Sequence, residues 1–117
     1  MTTAIQTKFN VLAMAPVIDI RKNDSRLTAE TFVNNNIRHI VTRRMKWTTT
    51  EDFVLASLRA LQFATSGVIT GDSVTRAIEY AMDTIRDAVN RRRTWSAVRD
   101  LLVSDVEDII LAAQRLL

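Results

Sequence analysis

Apolar residues recur along this chain at the three- and four-residue intervals of amphipathic helices. From Thr28 to about Lys46 the stripe is Phe32, Val33, Ile37, Ile40, Val41 and Met45, interrupted by the weak helix formers Asn34, Asn35 and Asn36. A second stretch, up to Ser66, places Val54, Leu55, Leu58, Leu61 and Gln62 on its inner side, with Gly67 at the position that commonly ends a helix. Thr48 and Glu51 ahead of it have the spacing of a capping box. A third has the cleanest stripe, Val74, Ala77, Ile78, Ala81, Met82, Ile85, Ala88 and Val89, capped by Asp72 or Ser73. The last begins near Thr94 or Ser96 and runs through Val98, Leu102, Val106, Ile109, Ile110 and Ala113 to Leu117. Near the start, Ile5, Phe9 and Leu12 predict a short helix over residues 3–14, which Pro16 ends. Residues 17–20 then read as extended, and Asn23, Asp24 and Ser25 as a turn offering caps.

Composition narrows this to one all-α domain over residues 1–117. Two glycines and one proline are too few for a turn-rich β-sandwich or barrel, and there is no glycine-x-glycine phosphate loop. Cysteine is absent, which removes disulfides, thiolate metal sites and thiol nucleophiles and suits a reducing, cytoplasmic setting. No purely apolar run is longer than the five residues from Val11 to Ala15, too short to span a membrane, and the first residues lack the build of a secretory signal.

Laid on itself with a shift of 48, the chain repeats: Ile37-Arg38-x-x-Val41-x-Arg43-Arg44-x-x-Trp47 recurs as Ile85-Arg86-x-x-Val89-x-Arg91-Arg92-x-x-Trp95. Asp24-Ser25 meets Asp72-Ser73, Ala29 meets Ala77, Asp52 meets Asp100 and Ala64 meets Ala112. Eleven of the 43 aligned positions from 24 to 66 are identical, where composition alone gives roughly three. Shared helical periodicity accounts for the apolar matches, but not for the arginines, the tryptophan or the Asp-Ser start. The expected architecture is a four-helix bundle of two pseudo-repeated hairpins, residues 24–66 and 72–114, mated around an approximate twofold axis. An N-terminal helical arm over 1–23 is added to it.

Charge then singles out the repeated segments. The formal net charge is only +3, but thirteen of the sixteen basic residues are arginine, whose planar fork grips phosphate or carboxylate with two bonds. Arg43 and Arg44, and Arg91, Arg92 and Arg93, fall at helix ends, where cations meet the last carbonyls. Arg38, Arg86 and Lys46 flank them. One account is structural: arginines close the helix ends while Trp47 and Trp95 pin the corners. The other is binding of RNA or DNA phosphates by Arg38, Arg43, Arg44, Lys46, Arg86, Arg91, Arg92 and Arg93, with contacts added by Asn34 to Asn36. The acidic run from Asp100 to Asp108 would then face away.

Catalysis has little to rest on. His39 is the sole histidine, without a partner nucleophile. Asp100, Asp105, Glu107 and Asp108 point to different sides of one helix. Glu79, Asp83 and Asp87 share a face but sit among arginines, as ordinary helix ion pairs do. No cofactor or metal set is evident.

Two short stretches carry resemblances. Ala64 to Arg76 resembles a helix-turn-helix corner with a turn about one residue longer than usual. Trp47 to Asp52 resembles the opening of a Myb-type repeat, without the further spaced aromatic residues of that family. Neither supplies functional residues here. The expected function is a small, non-catalytic, self-associating protein that contacts nucleic-acid phosphates, a composition suited to viral or phage accessory and packaging roles. The alternative is a helical adaptor that docks a protein partner through its apolar arm and C-terminal helix.

Overall fold

The computed structural model describes residues 22–68 and 71–117, and most of these lie in five α-helices. In chain order α1 spans Lys22–Asn36, α2 Arg38–Thr42, α3 Trp47–Ser66, α4 Asp72–Asn90 and α5 Trp95–Gln114. No strand occurs among the described residues. The fold is an all-α helical bundle. The arm expected over residues 1–23 lies outside the described residues as far as 21, and Lys22 and Asn23 belong to α1.

α5 is the spine. It packs against every other helix, most extensively against α1 and α4. Its sequence explains why: Val98, Leu102, Val103, Val106, Ile109, Ile110, Ala112 and Ala113 are all buried and spread around the helix. A helix apolar on several sides belongs in the middle of a bundle. Burying one such isoleucine or leucine contributes about 1.5–3 kcal/mol. α4 is the opposite case. Val74, Ile78, Ala81, Ile85, Ala88 and Val89 are buried on one face while Glu79, Tyr80, Asp83 and Arg86 are exposed on the other.

The helix expected from Thr28 to Lys46 is broken at Ile37 and stops at Thr42. Buried Asn36 turns its amide back to donate to the Phe32 carbonyl at 2.9 Å, and past Ile37 the Ile40 amide bonds three residues back, to Ile37, at 3.0 Å. Asparagine side chains compete for backbone partners in this way and bend or end helices. The aligned residues Met82, Asp83 and Thr84 leave α4 continuous. The break redirects α1, which lies along α5 rather than along α3, whereas in the second half α4 and α5 close on each other. Aligned Phe32 and Tyr80 show the consequence: Phe32 is 2% exposed in the core and Tyr80 is 60% exposed.

A polar seam fixes α1 on α5. The Ser25 hydroxyl donates to Glu107 Oε2 at 2.7 Å, Arg26 Nη1 donates to Ser104 Oγ at 3.1 Å, and Arg99 Nη2 lies 3.8 Å from Glu30 Oε2. Partly exposed pairs of this kind are worth roughly 0–1 kcal/mol each and serve mainly to set register.

Several expected caps are replaced by other devices. α3 starts at Trp47, so Thr48 is already inside the helix, and Lys46 at the N-cap makes no side-chain cap bond. α4 takes in both Asp72 and Ser73 and has Gly71 as its N-cap. Asp72 in the first turn still complements the helix dipole there. Residues 23–25 continue α1 rather than forming a turn, and α5 ends at Gln114, short of Leu117. Gly67 does end α3, with a left-handed φ of 72° and its amide bonded to the Phe63 carbonyl at 2.7 Å. Gln62 closes the following loop by donating to the Val68 carbonyl at 2.9 Å.

Among the described residues one acid lies inside. Asp105 on α5 is 4% exposed, and its Oδ2 has no hydrogen-bond donor among the described residues. Loss of hydration pushes its carboxyl above the usual carboxylate range. The nearby charge of Asp108 adds to this, and a hydrogen bond with Thr84 of α4 opposes it.

Candidate nucleic-acid interface

The repeated Arg/Trp segments form two helix–helix corners, one from α2 to α3 and one from α4 to α5. Their backbones match bond for bond. In the first, the Arg43, Arg44 and Met45 amides donate to the carbonyls of His39, Val41 and Ile40 at 2.9, 3.2 and 3.1 Å. In the second, the Arg91, Arg92 and Arg93 amides donate to Asp87, Val89 and Ala88 at 2.9, 3.2 and 3.0 Å. The last two bonds of each set make a Schellman motif, which ends a helix by placing one residue in the left-handed conformation. That residue is Arg44 in one corner and Arg92 in the other, each at φ 52°. Glycine normally takes this position because a Cβ there costs about 1–2 kcal/mol. The chain does use glycine at the end of α3, so the arginines are the exception.

Behind each corner a tryptophan anchors the next helix. Trp47 is part of the core, and Trp95 is half-buried against it. The aromatic body holds each corner in place while the arginines stay outside. All eight basic residues singled out from the sequence, Arg38, Arg43, Arg44, Lys46, Arg86, Arg91, Arg92 and Arg93, are exposed.

Their charges are not equally available. Arg86 Nη2 is 2.9 Å from Asp83 Oδ1. Asp87 pairs with two arginines: Arg93 Nε donates to its Oδ2 at 2.9 Å, and Arg91 Nε lies 2.8 Å from its Oδ1. The residue aligned with Asp87 in the first corner is His39, whose ring meets Phe53 of α3 edge-on at 6.3 Å between centroids. Among the described residues no carboxylate lies within ion-pair distance of Arg38, Arg43, Arg44, Lys46 or Arg92. The first corner therefore carries bare positive charge, and the second is partly neutralised by its own acid.

Packing of α2 on α4 brings the two corners side by side. Between them lies a cleft of about 330 Å³, lined by Arg44, Met45, Lys46, Trp47, Thr48, Val89, Asn90 and Arg92. It holds three cations and no acid. A second groove of about 250 Å³ lies on the other side of Trp47, between α3 and α4. Glu51, Glu79 and Asp83 share its walls with Arg59 and Arg86, so its charges balance locally.

The remaining chemistry is sparse. Among the described residues no group of three or more histidine, cysteine, aspartate or glutamate side chains could hold a metal ion. No helix among them is long and apolar enough to cross a membrane. Comparison with family models, curated proteins and solved structures gives no match to this chain.

Sequence reasoning located the arginines but not their division of labour. The missed signal was the exchange of Asp87 for His39 within the repeat, which decides where the positive charge is free.

Proposed function

We propose that this protein is a non-catalytic nucleic-acid-binding module whose two arginine corners contact backbone phosphates. The observation that carries this reading is the pair Arg44 and Arg92. Both stand at left-handed positions where glycine would cost less, and both face the same acid-free cleft. Non-glycine residues kept in such backbone cluster at functional sites. An arginine there fits the left-handed backbone less well than glycine would. It does add a guanidinium fork suited to phosphate oxygens. Arg38, Arg43 and Lys46 extend the charge along the first corner.

Phosphate-driven binding weakens linearly with the logarithm of salt concentration, by about 0.7–0.9 in slope per phosphate neutralised. A mobility-shift titration of duplex and single-stranded probes across salt tests the reading. Retention at low salt that falls steeply, and is abolished in Arg43→Ala/Arg44→Ala/Arg91→Ala/Arg92→Ala with helix content unchanged, is the expected result. No retention at low salt overturns it.

A further inference from the structure

We infer that the cleft between the two corners is a subsite for one phosphate group of a bound strand, gripped by Arg44, Lys46 and Arg92, with Arg91 and Arg93 standing outside it. This rests on the nucleic-acid reading and assigns its central contact.

The cleft has the right charge. Its only ionic side chains are three cations, none ion-paired among the described residues. Three like charges around one small space repel each other, and an anion seated between them relieves that repulsion. Thr48 and Asn90 add neutral hydrogen-bonding groups to the wall. A volume of about 330 Å³ is at the lower end of the roughly 300–1,000 Å³ usual for small-ligand sites. That leaves room for a phosphate with part of its nucleotide, and Met45, Trp47 and Val89 supply an apolar side for the less polar part.

The site is also composite. Arg44 and Lys46 come from the first corner, Arg92 and Asn90 from the second. Neither half of the repeat makes it alone. Arg91 and Arg93 are engaged elsewhere, both ion-paired with Asp87. Arg92, between them in the chain, lines the cleft instead.

Trp47 lines the cleft, and the only other indole is Trp95. In Trp95→Phe protein, emission therefore reports on the site. The test titrates this protein with inorganic pyrophosphate and with a short oligothymidylate at several salt concentrations. It then repeats both in two backgrounds, Arg44→Asn/Arg92→Asn and Arg91→Ala/Arg93→Ala. Asparagine is chosen because it tolerates the left-handed backbone. Circular dichroism confirms that each variant is folded.

Both ligands should change Trp47 emission. The Arg44/Arg92 pair of substitutions should weaken strand binding at least roughly tenfold and flatten the salt slope by about 0.7, the share of one phosphate. The Arg91/Arg93 pair should stay within about twofold. If the strand binds but leaves Trp47 unchanged, or the two variants lose affinity equally, the subsite is wrong and the nucleic-acid reading survives. If pyrophosphate binds through Arg44 and Arg92 and the strand does not, the phosphate subsite survives and the nucleic-acid reading falls. If neither ligand binds, both fall.

Discussion

Arg44 and Arg92 occupy corresponding positions of the internal repeat, share a left-handed backbone at φ 52°, and line one cleft from opposite corners. Their relationship links the repeat to the chemistry. The Schellman turn sets the backbone, the packing of α2 on α4 brings the turns together, and the guanidinium groups then share one space. Each link can be tested separately.

The backbone link concerns stability. Arg44→Gly and Arg92→Gly should each stabilise the fold by about 1 kcal/mol, because glycine removes the left-handed penalty. Gly67→Ala should do the reverse by a similar amount. Nothing lies within 4 Å of a Cβ built there, so the cost is backbone strain alone. Urea midpoints measure all three. If the glycine variants prove stabler yet bind nucleic acid less well, the arginines trade stability for binding.

The charge link concerns the exchanged pair Asp87 and His39. Asp87→Asn frees Arg91 and Arg93 and should tighten strand binding, steepening the salt slope by about 1. His39→Asp places a carboxylate four residues before Arg43, as Asp87 stands before Arg91. It should weaken binding and flatten the slope. Salt-resolved shift titrations read both, and unchanged slopes would argue that the corner charges do not meet phosphate.

Asp105 governs a pH dependence. Its carboxyl titrates above the unfolded value of 3.8 because it is buried without a full set of donors. A group raised in the folded state costs nothing below the unfolded pKa, and its penalty appears as pH rises through the folded pKa. Asp105→Asn should therefore stabilise the protein at neutral pH, by on the order of 1 kcal/mol, the scale for a buried acceptor without its donor. The gain should fade toward pH 4. Thermal midpoints of both proteins between pH 4 and 8 check the sign.

Truncating the spine should be costly. Ile109 is fully buried on α5. Ile109→Ala should remove about 2–5 kcal/mol, a large share of the stability of a domain this size. Leu117→Ala, at a side chain 64% exposed, should change stability by less than about 0.5 kcal/mol.

Much of this molecule follows from order along the chain. The stripe from Val74 to Val89 has the period of a helix buried on one side, and α4 is that helix. Gly67 marks the end of α3 because its backbone needs a positive φ. The shift-by-48 repeat of arginine and tryptophan foretells two matching corners, since a Schellman turn is built from bonds within six residues. Caps were less legible: Thr48–Glu51 has the right spacing, yet the helix begins two residues earlier than that box implies, at Trp47, which enters the core.

Only the tertiary structure decided the rest. The asparagine run weakens a helix in the sequence, but that α1 then lies on α5 rather than α3 depends on which apolar faces remain to be covered. Nothing local says that Arg44 and Arg92 share a cleft, or that Asp105 sits inside rather than outside α5. Periodicity determines which residues turn inward together, because it acts over a few bonds. Which elements meet, and so which charges face one another, is set by packing among residues far apart in the chain.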